Sequence, residues 1–114
     1  MASLQKVTLT IAQSATTSDE IGWNQLRNCR ALSIIAPAVL TGTITAETAD
    51  LAPDEIGGGS PTWVTIQSPP GTDVTCEAGK ATVLTVTPFA RFRLKSAIAE
   101  AGPRTFVLWL QIGE

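Results

Sequence analysis

A chain of 114 residues, 44% hydrophobic and 16% charged, is long enough for one domain with a buried core. Eight basic and ten acidic residues leave a formal net charge of -2, so no electrostatic footprint for nucleic acid exists. The lack of histidine removes the usual general base, metal ligand and pH switch, tyrosine is absent too, and no apolar run approaches the ~18 residues of a membrane span.

The first run, "LQKVTLTIA", alternates Val7, Leu9 and Ile11 with Lys6, Thr8 and Thr10, which predicts a strand with one buried face. The stretch "QSATTSDEIGWNQLRNCR" has no clear period. It reads as a crossover with at most one helical turn, capped at Ser18 with Asp19 and Glu20 behind it, and pinned to the core by Trp23 and Leu26. "ALSIIAP" is apolar at nearly every position, as expected for burial on both faces or at a subunit contact, and Pro37 ends it.

"LTGTITAETA" places Ile44 and Ala46 against Thr43, Thr45 and Glu47. The run Gly57-Gly58-Gly59-Ser60 is followed by Pro61, Thr62 and Trp63, where a strand begins. A phosphate cradle would need a Lys-Ser/Thr pair or a helix start there, so the glycines read as a hairpin tip, where positive φ is free of side-chain clash. "TWVTIQS" alternates Val64 and Ile66 against Trp63, Thr65 and Gln67. "SPPGTD" is a turn, and "DVTCEAG" puts Val74 and Cys76 on one face. "KATVLTVT", "FARFRLKSA" and "RTFVLWLQI" complete about eight strands with little helix. The expected fold is all-β, a single sandwich over residues 1–114 with Greek-key or jelly-roll connections.

Chemistry is sparse. No G-x-S-x-G elbow is present, and the acids Glu47, Asp50, Asp54 and Glu55, clustered around the long hairpin loop, match no calcium loop and read as solvated. The expectation is no enzyme, no cofactor and no metal. In "FARFRLK", Phe92 and Leu94 face inward while Arg91, Arg93 and Lys95 share the other face; such a row pairs with acids on a neighbouring strand or a partner subunit. Trp63 opposes Val64 and Ile66, and Trp109 opposes Phe106, Leu108 and Leu110, so each is placed at an interface, at a core edge or on a sugar-stacking face. Low charge is read either as a Thr- and Ser-coated β domain or as a surface covered by partners. The N-terminal "MASLQKVTLT" lacks a secretory pattern, so folding in a cytoplasm is expected. Cys29 and Cys76 then behave as small buried hydrophobes rather than a bridge.

The segments "LSIIAPAVLTGTITAETA", "TWVTIQSPPGTDVTCEAGKATVL" and "FARFRLKSAIAEAGPRTFVLWLQ" together resemble small tailed-phage virion structural proteins of β-sandwich type. The resemblance runs roughly from Ser33 to the end and rests on Pro37, Gly42 to Glu47, Trp63, Arg93 to Ser96, and Arg104 to Leu108. It implies a capsid decoration, or cement, protein that binds the major capsid protein on the head exterior, as a homotrimer or other cyclic oligomer made in the host cytoplasm. A carbohydrate-binding adhesion module and a neck or tail subunit are the alternatives. Under the cement reading, Asp54, Glu55, Gly57, Gly58, Gly59 and Trp63 become docking elements, with Arg91, Arg93 and Trp109 as further interface candidates. The particle leaves the reducing cytoplasm, which leaves a Cys29–Cys76 bridge open.

Overall fold

In the computed structural model, which describes residues 3–26, 28–49, 62–85 and 91–113, the alternating runs become eight strands in two four-stranded antiparallel sheets. Sheet A has the order β1 (Ser3–Ile11), β8 (Arg104–Ile112), β2 (Cys29–Ile35), β6 (Ala81–Thr85). In sheet B, β3 (Ile44–Ala49) is central, with β7 (Phe92–Ser96) pairing it as do β4 (Trp63–Thr65) and β5 (Thr75–Cys76). The inward positions of the alternation supply the core. Leu9, Ile11, Leu32, Ile34, Phe106, Leu108 and Leu110 come from sheet A, and Ile44, Ala46, Cys76, Phe92 and Leu94 from sheet B.

Strands β4 and β5 are two pieces of one edge. Both run antiparallel to β3, β4 beside Glu47–Ala49 and β5 beside Ile44–Thr45. Ala46 joins them, accepting from the Ile66 N–H and donating to the Val74 carbonyl. Between the pieces the chain leaves the sheet. The excursion is closed by Gln67 Nε2 donating to Asp73 Oδ1 at 3.0 Å and by the Thr72 N–H donating to the Pro69 carbonyl at 3.0 Å. Gly71 within it has φ 92°, a conformation that favours glycine.

Three sequence expectations are corrected. Ser18, Asp19 and Glu20 cap no helix; the helical turn, α1 (Trp23–Leu26), comes after Gly22, whose carbonyl accepts from Gln25 and Leu26. The chain through Ser18 and Ile21 instead lies along the outer edge of β7. There the Ser18 N–H donates to the Leu94 carbonyl, and Ile21 and Phe92 exchange both backbone bonds. An open strand edge offers a ready row of backbone partners, and here it wins over a single isolated turn, which is costly to nucleate. Leu26 is buried as expected, while the Trp23 side chain lies outside the described residues.

Val64, expected to point inward with Ile66, is 50% exposed. It sits on a three-residue edge strand opposite Thr48, and an edge strand has no neighbour on one side to cover it. Strand β2 is not buried on both faces: Leu32 and Ile34 are buried, Ser33 is half-buried and Ile35 is exposed.

The in/out pattern of β8 is directly testable. Phe106→Ala empties a fully buried position and should cost about 3–5 kcal/mol. Trp109→Ala, three residues on and facing out, should cost less than half as much. Urea unfolding of the two variants measures the difference.

Candidate interaction surface

Directly opposed residues share a face of a sheet, so the register of sheet A lays out its outer surface in rows. One row reads Lys6, Trp109, Ser33, Val83; the flanking rows read Leu4, Gln111, Ala31 and Thr8, Val107, Ile35, Ala81. The indole of Trp109 stands beside the small side chains of Ala31 and Ser33. That size step leaves a recess of about 370 Å³ lined by Leu4, Ala31, Ser33, Val83, Trp109 and Gln111. Its apolar walls are open to solvent, with Leu4 67%, Val83 71% and Trp109 36% exposed. Lys6 is the one charged side chain in these three rows.

The outer face of sheet B is polar and internally paired. Arg93 on β7 donates from Nε to Glu47 Oε1 on β3 at 2.8 Å, and its guanidinium lies 4.1 Å from the centre of the Trp63 ring. Glu47, expected in solvent with the loop acids, is instead buried with its charge matched, because β3 is the central strand and Arg93 on β7 lies directly opposite it. Arg91 reaches Glu20 at 3.5 Å. Arg91 and Arg93 of "FARFRLK" thus meet acids of this same chain, Lys95 makes no ion pair among the described residues, and one face of the Trp63 ring is taken by Arg93 rather than open to a sugar. Trp109 and Trp63 lie on opposite sides of the molecule, so the structure does not bring the expected interface residues into one site. Asp54, Glu55, Gly57, Gly58 and Gly59 lie outside the described residues.

A third cluster was not foreseen. The carboxylate of Glu100, between β7 and β8, is fully buried. It accepts from the Thr41 N–H at 2.8 Å, the Gly42 N–H at 2.9 Å, Ser96 Oγ at 2.6 Å and Arg104 Nε at 2.9 Å. The Glu100 backbone N–H donates to the Ala15 carbonyl, and its own carbonyl accepts from the Ser14 N–H. One residue therefore ties the β1 exit, the β2–β3 connection and both ends of the β7–β8 turn. Gly42 permits the approach, since a Cβ there would stand 2.5 Å from Ser96 Oγ. Burial pushes the Glu100 carboxyl up, but the bonds from Ser96, Thr41, Arg104 and Gly42 outweigh it and hold the group down at about 2. A carboxylate so saturated has no lone pair left for acid–base work. The sequence signal, an acid four residues before Arg104 in "EAGPR", gave no hint of Thr41 and Gly42.

Both cysteines are free and buried, Cys29 in sheet A and Cys76 in sheet B. Burial pushes the Cys76 thiol up to about 11, with a hydrogen bond to Thr82 pulling the other way; a thiol with so little thiolate is a poor nucleophile. Among the described residues, no group of three His, Cys, Asp or Glu side chains could hold a metal ion, and no helix is long and apolar enough to cross a membrane.

No family model matches the chain, and no curated protein matches it. Solved structures resemble it at low identity. The SPBc2 prophage-derived protein YomS superposes with a TM-score of 0.55 at 12% identity, over 95% of this chain and 94% of that one. A protein of Bacillus endospore appendages, which form disulfide-linked pili, gives 0.47 at 18% identity over 98% and 89%. The Yersinia pseudotuberculosis-derived mitogen gives 0.47 at 9% identity over 100% and 89%. The likeness to YomS establishes an all-β architecture held in common with a prophage-derived protein.

The Glu100 cluster predicts an acid limb of stability. Its folded value is depressed from the ordinary 4.5 to about 2, so its contribution is present above about pH 4.5 and is lost as pH falls towards 2. At ~1.4 kcal/mol per pKa unit this amounts to roughly 3 kcal/mol. Glu100→Gln should lower stability at neutral pH by that order, because an amide nitrogen cannot accept the bonds a carboxylate oxygen does, and should flatten the loss between pH 4.5 and 2. Denaturant titrations across that range provide the check.

Proposed function

We propose that this chain is a structural protein of a tailed-phage virion, a capsid decoration protein that clamps the major capsid protein lattice on the head exterior. The observation that carries the reading is the outer face of sheet A, an apolar surface of four strands centred on Trp109 and its recess. Exposed contiguous apolar surface of this kind marks protein contact sites, and tryptophan beside a pocket is the residue most enriched at binding hot spots. The shared architecture with a prophage-derived protein and the resemblance of "TGTITAE", "RLKS" and "RTFVL" to phage virion proteins support the same assignment. The self-paired charges of sheet B leave the other broad face without a comparable patch.

A decoration protein needs no catalytic set. Many copies on one lattice make a modest interface sufficient, because each additional contact within an assembly is intramolecular. A cyclic oligomer, with a trimer as the leading case, would present several such faces to the shell at once.

The test combines purified protein with expanded phage shells. Wild-type protein should bind and raise the temperature at which shells break. The double variant Val83→Thr, Trp109→Ser, altered only at exposed positions, should lose at least about thirtyfold in affinity, the loss of one hot spot. Equal binding by the variant, or shells as heat-resistant without the protein as with it, would sink the proposal. Quenching of Trp109 fluorescence by free glycans without shell binding would replace it with the adhesion reading.

A further inference from the structure

Among the described residues, two of the four sheet edges are occupied or interrupted. The outer edge of β7 carries the chain through Ser18 and Ile21. The β4–β5 edge is broken by the excursion from Gln67 to Asp73. The β6 edge is short, five residues from Ala81 to Thr85. The longest edge is β1, nine residues with no proline, no glycine and no bulge in its register with β8, covered near its end where Ile11 bridges Ser18.

Thr10 shows which groups that edge presents. Its N–H donates to Asp19 Oδ1 at 2.7 Å, so it points away from β8. Backbone groups alternate in direction along a strand, so the N–H and carbonyl of Leu4, Lys6 and Thr8 point the same way. Among the described residues, no bond from outside sheet A meets them. The side chains of these same three residues stand on the outer face with Trp109. Lys6, at their centre, makes no ion pair among the described residues.

We propose that the free edge of β1 accepts an extended segment of a partner protein as a fifth strand of sheet A, with an acidic side chain of that segment set opposite Lys6. Strand addition draws on exactly this supply of unpaired backbone donors and acceptors. The charge selects the occupant. A second copy pairing β1 with β1 in the antiparallel register that uses all three free residues would set Lys6 against Lys6 of the other copy, and like charges directly opposed are destabilising. An acid at that place in a different segment gains a cross-strand pair instead. Apolar residues two positions to either side of the acid would share the outer face with Leu4 and Thr8, extending the Trp109 surface. The inference concerns the edge and does not require the partner to be a capsid protein.

The experiment uses the whole protein, isotope-labelled, with two acetylated and amidated nine-residue peptides of alternating Val and Thr, one with Glu at its centre and one with Lys. The Glu peptide should slow amide exchange at Leu4, Lys6 and Thr8 and bind about fivefold more tightly than the Lys peptide, the ratio expected of an opposed pair of unlike rather than like charge. Thr8→Pro should abolish that protection while leaving the fold intact, because its lost N–H faces off the sheet and proline is tolerated on such an edge. Lys6→Glu should reverse the peptide preference. No protection of these amides by either peptide, or equal affinity for both, overturns the proposal. So does concentration-dependent protection without peptide, which would assign the edge to a second copy.

Discussion

Sheet A cannot close until β8 arrives. Strand β8 lies between β1 and β2, pairing the first along nine residues and the second along most of its length. Phe106, Leu108 and Leu110 on that strand are each fully buried, so the same residues that complete the sheet also fill the centre of the core. Pairing residues as far apart in sequence as Ser3 and Ile112 demands the loop-closure entropy before any contact compensates it. Such non-local pairing makes for slow folding. Everything else, including the Trp109 face, is positioned by this insertion, because the recess exists only where β8 stands beside β2.

Glu100 answers part of the problem that this topology creates. A strand returning from sheet B to the middle of sheet A must be held at a fixed entry angle, and the residue just before β8 does so by bonding to three otherwise separate segments. Its polar network is fully satisfied by Ser96, Thr41, Gly42 and Arg104, which is the condition under which a buried charge specifies structure rather than undermining it. The Glu47–Arg93 pair plays the corresponding part across β3 and β7, with Trp63 laid over the guanidinium.

The alternation of residues in "LQKVTLTIA", "FARFRLK" and "RTFVLWLQI" made β1, β7 and β8 legible, together with their inward and outward sides, because period two is a local property. The turn at Pro69 to Gly71 was legible for the same reason. The order of strands was not, since nothing in the composition of β8 states that it inserts between β1 and β2. The edge-covering run through Ser18 and Ile21 was read as a helix cap because Ser-Asp-Glu suits either role and only the open edge of β7 decides between them. Arg91 and Arg93 were legible as seeking acids, Lys95 beside them meets none among the described residues, and Glu47 and Glu100, acids in a chain of low charge, gave no sign that they would be buried. Of the interface candidates, Trp109 could be placed outward from its neighbours alone, while the Arg93 guanidinium over Trp63 depended on a pairing between distant strands.

The division of one edge into β4 and β5 bears on how this molecule can vary. Both pieces are anchored independently on β3, and Ala46 holds the two ends of the gap together through Ile66 and Val74. The residues from Gln67 to Asp73 therefore hang from a closed gate rather than spanning one. Sequence inserted there would lengthen a side branch while the sheet on either side kept its register, and entropy charges little for extra length in such a loop. The excursion is thus a natural graft point, where a foreign peptide could be carried on the molecule without passing through its core.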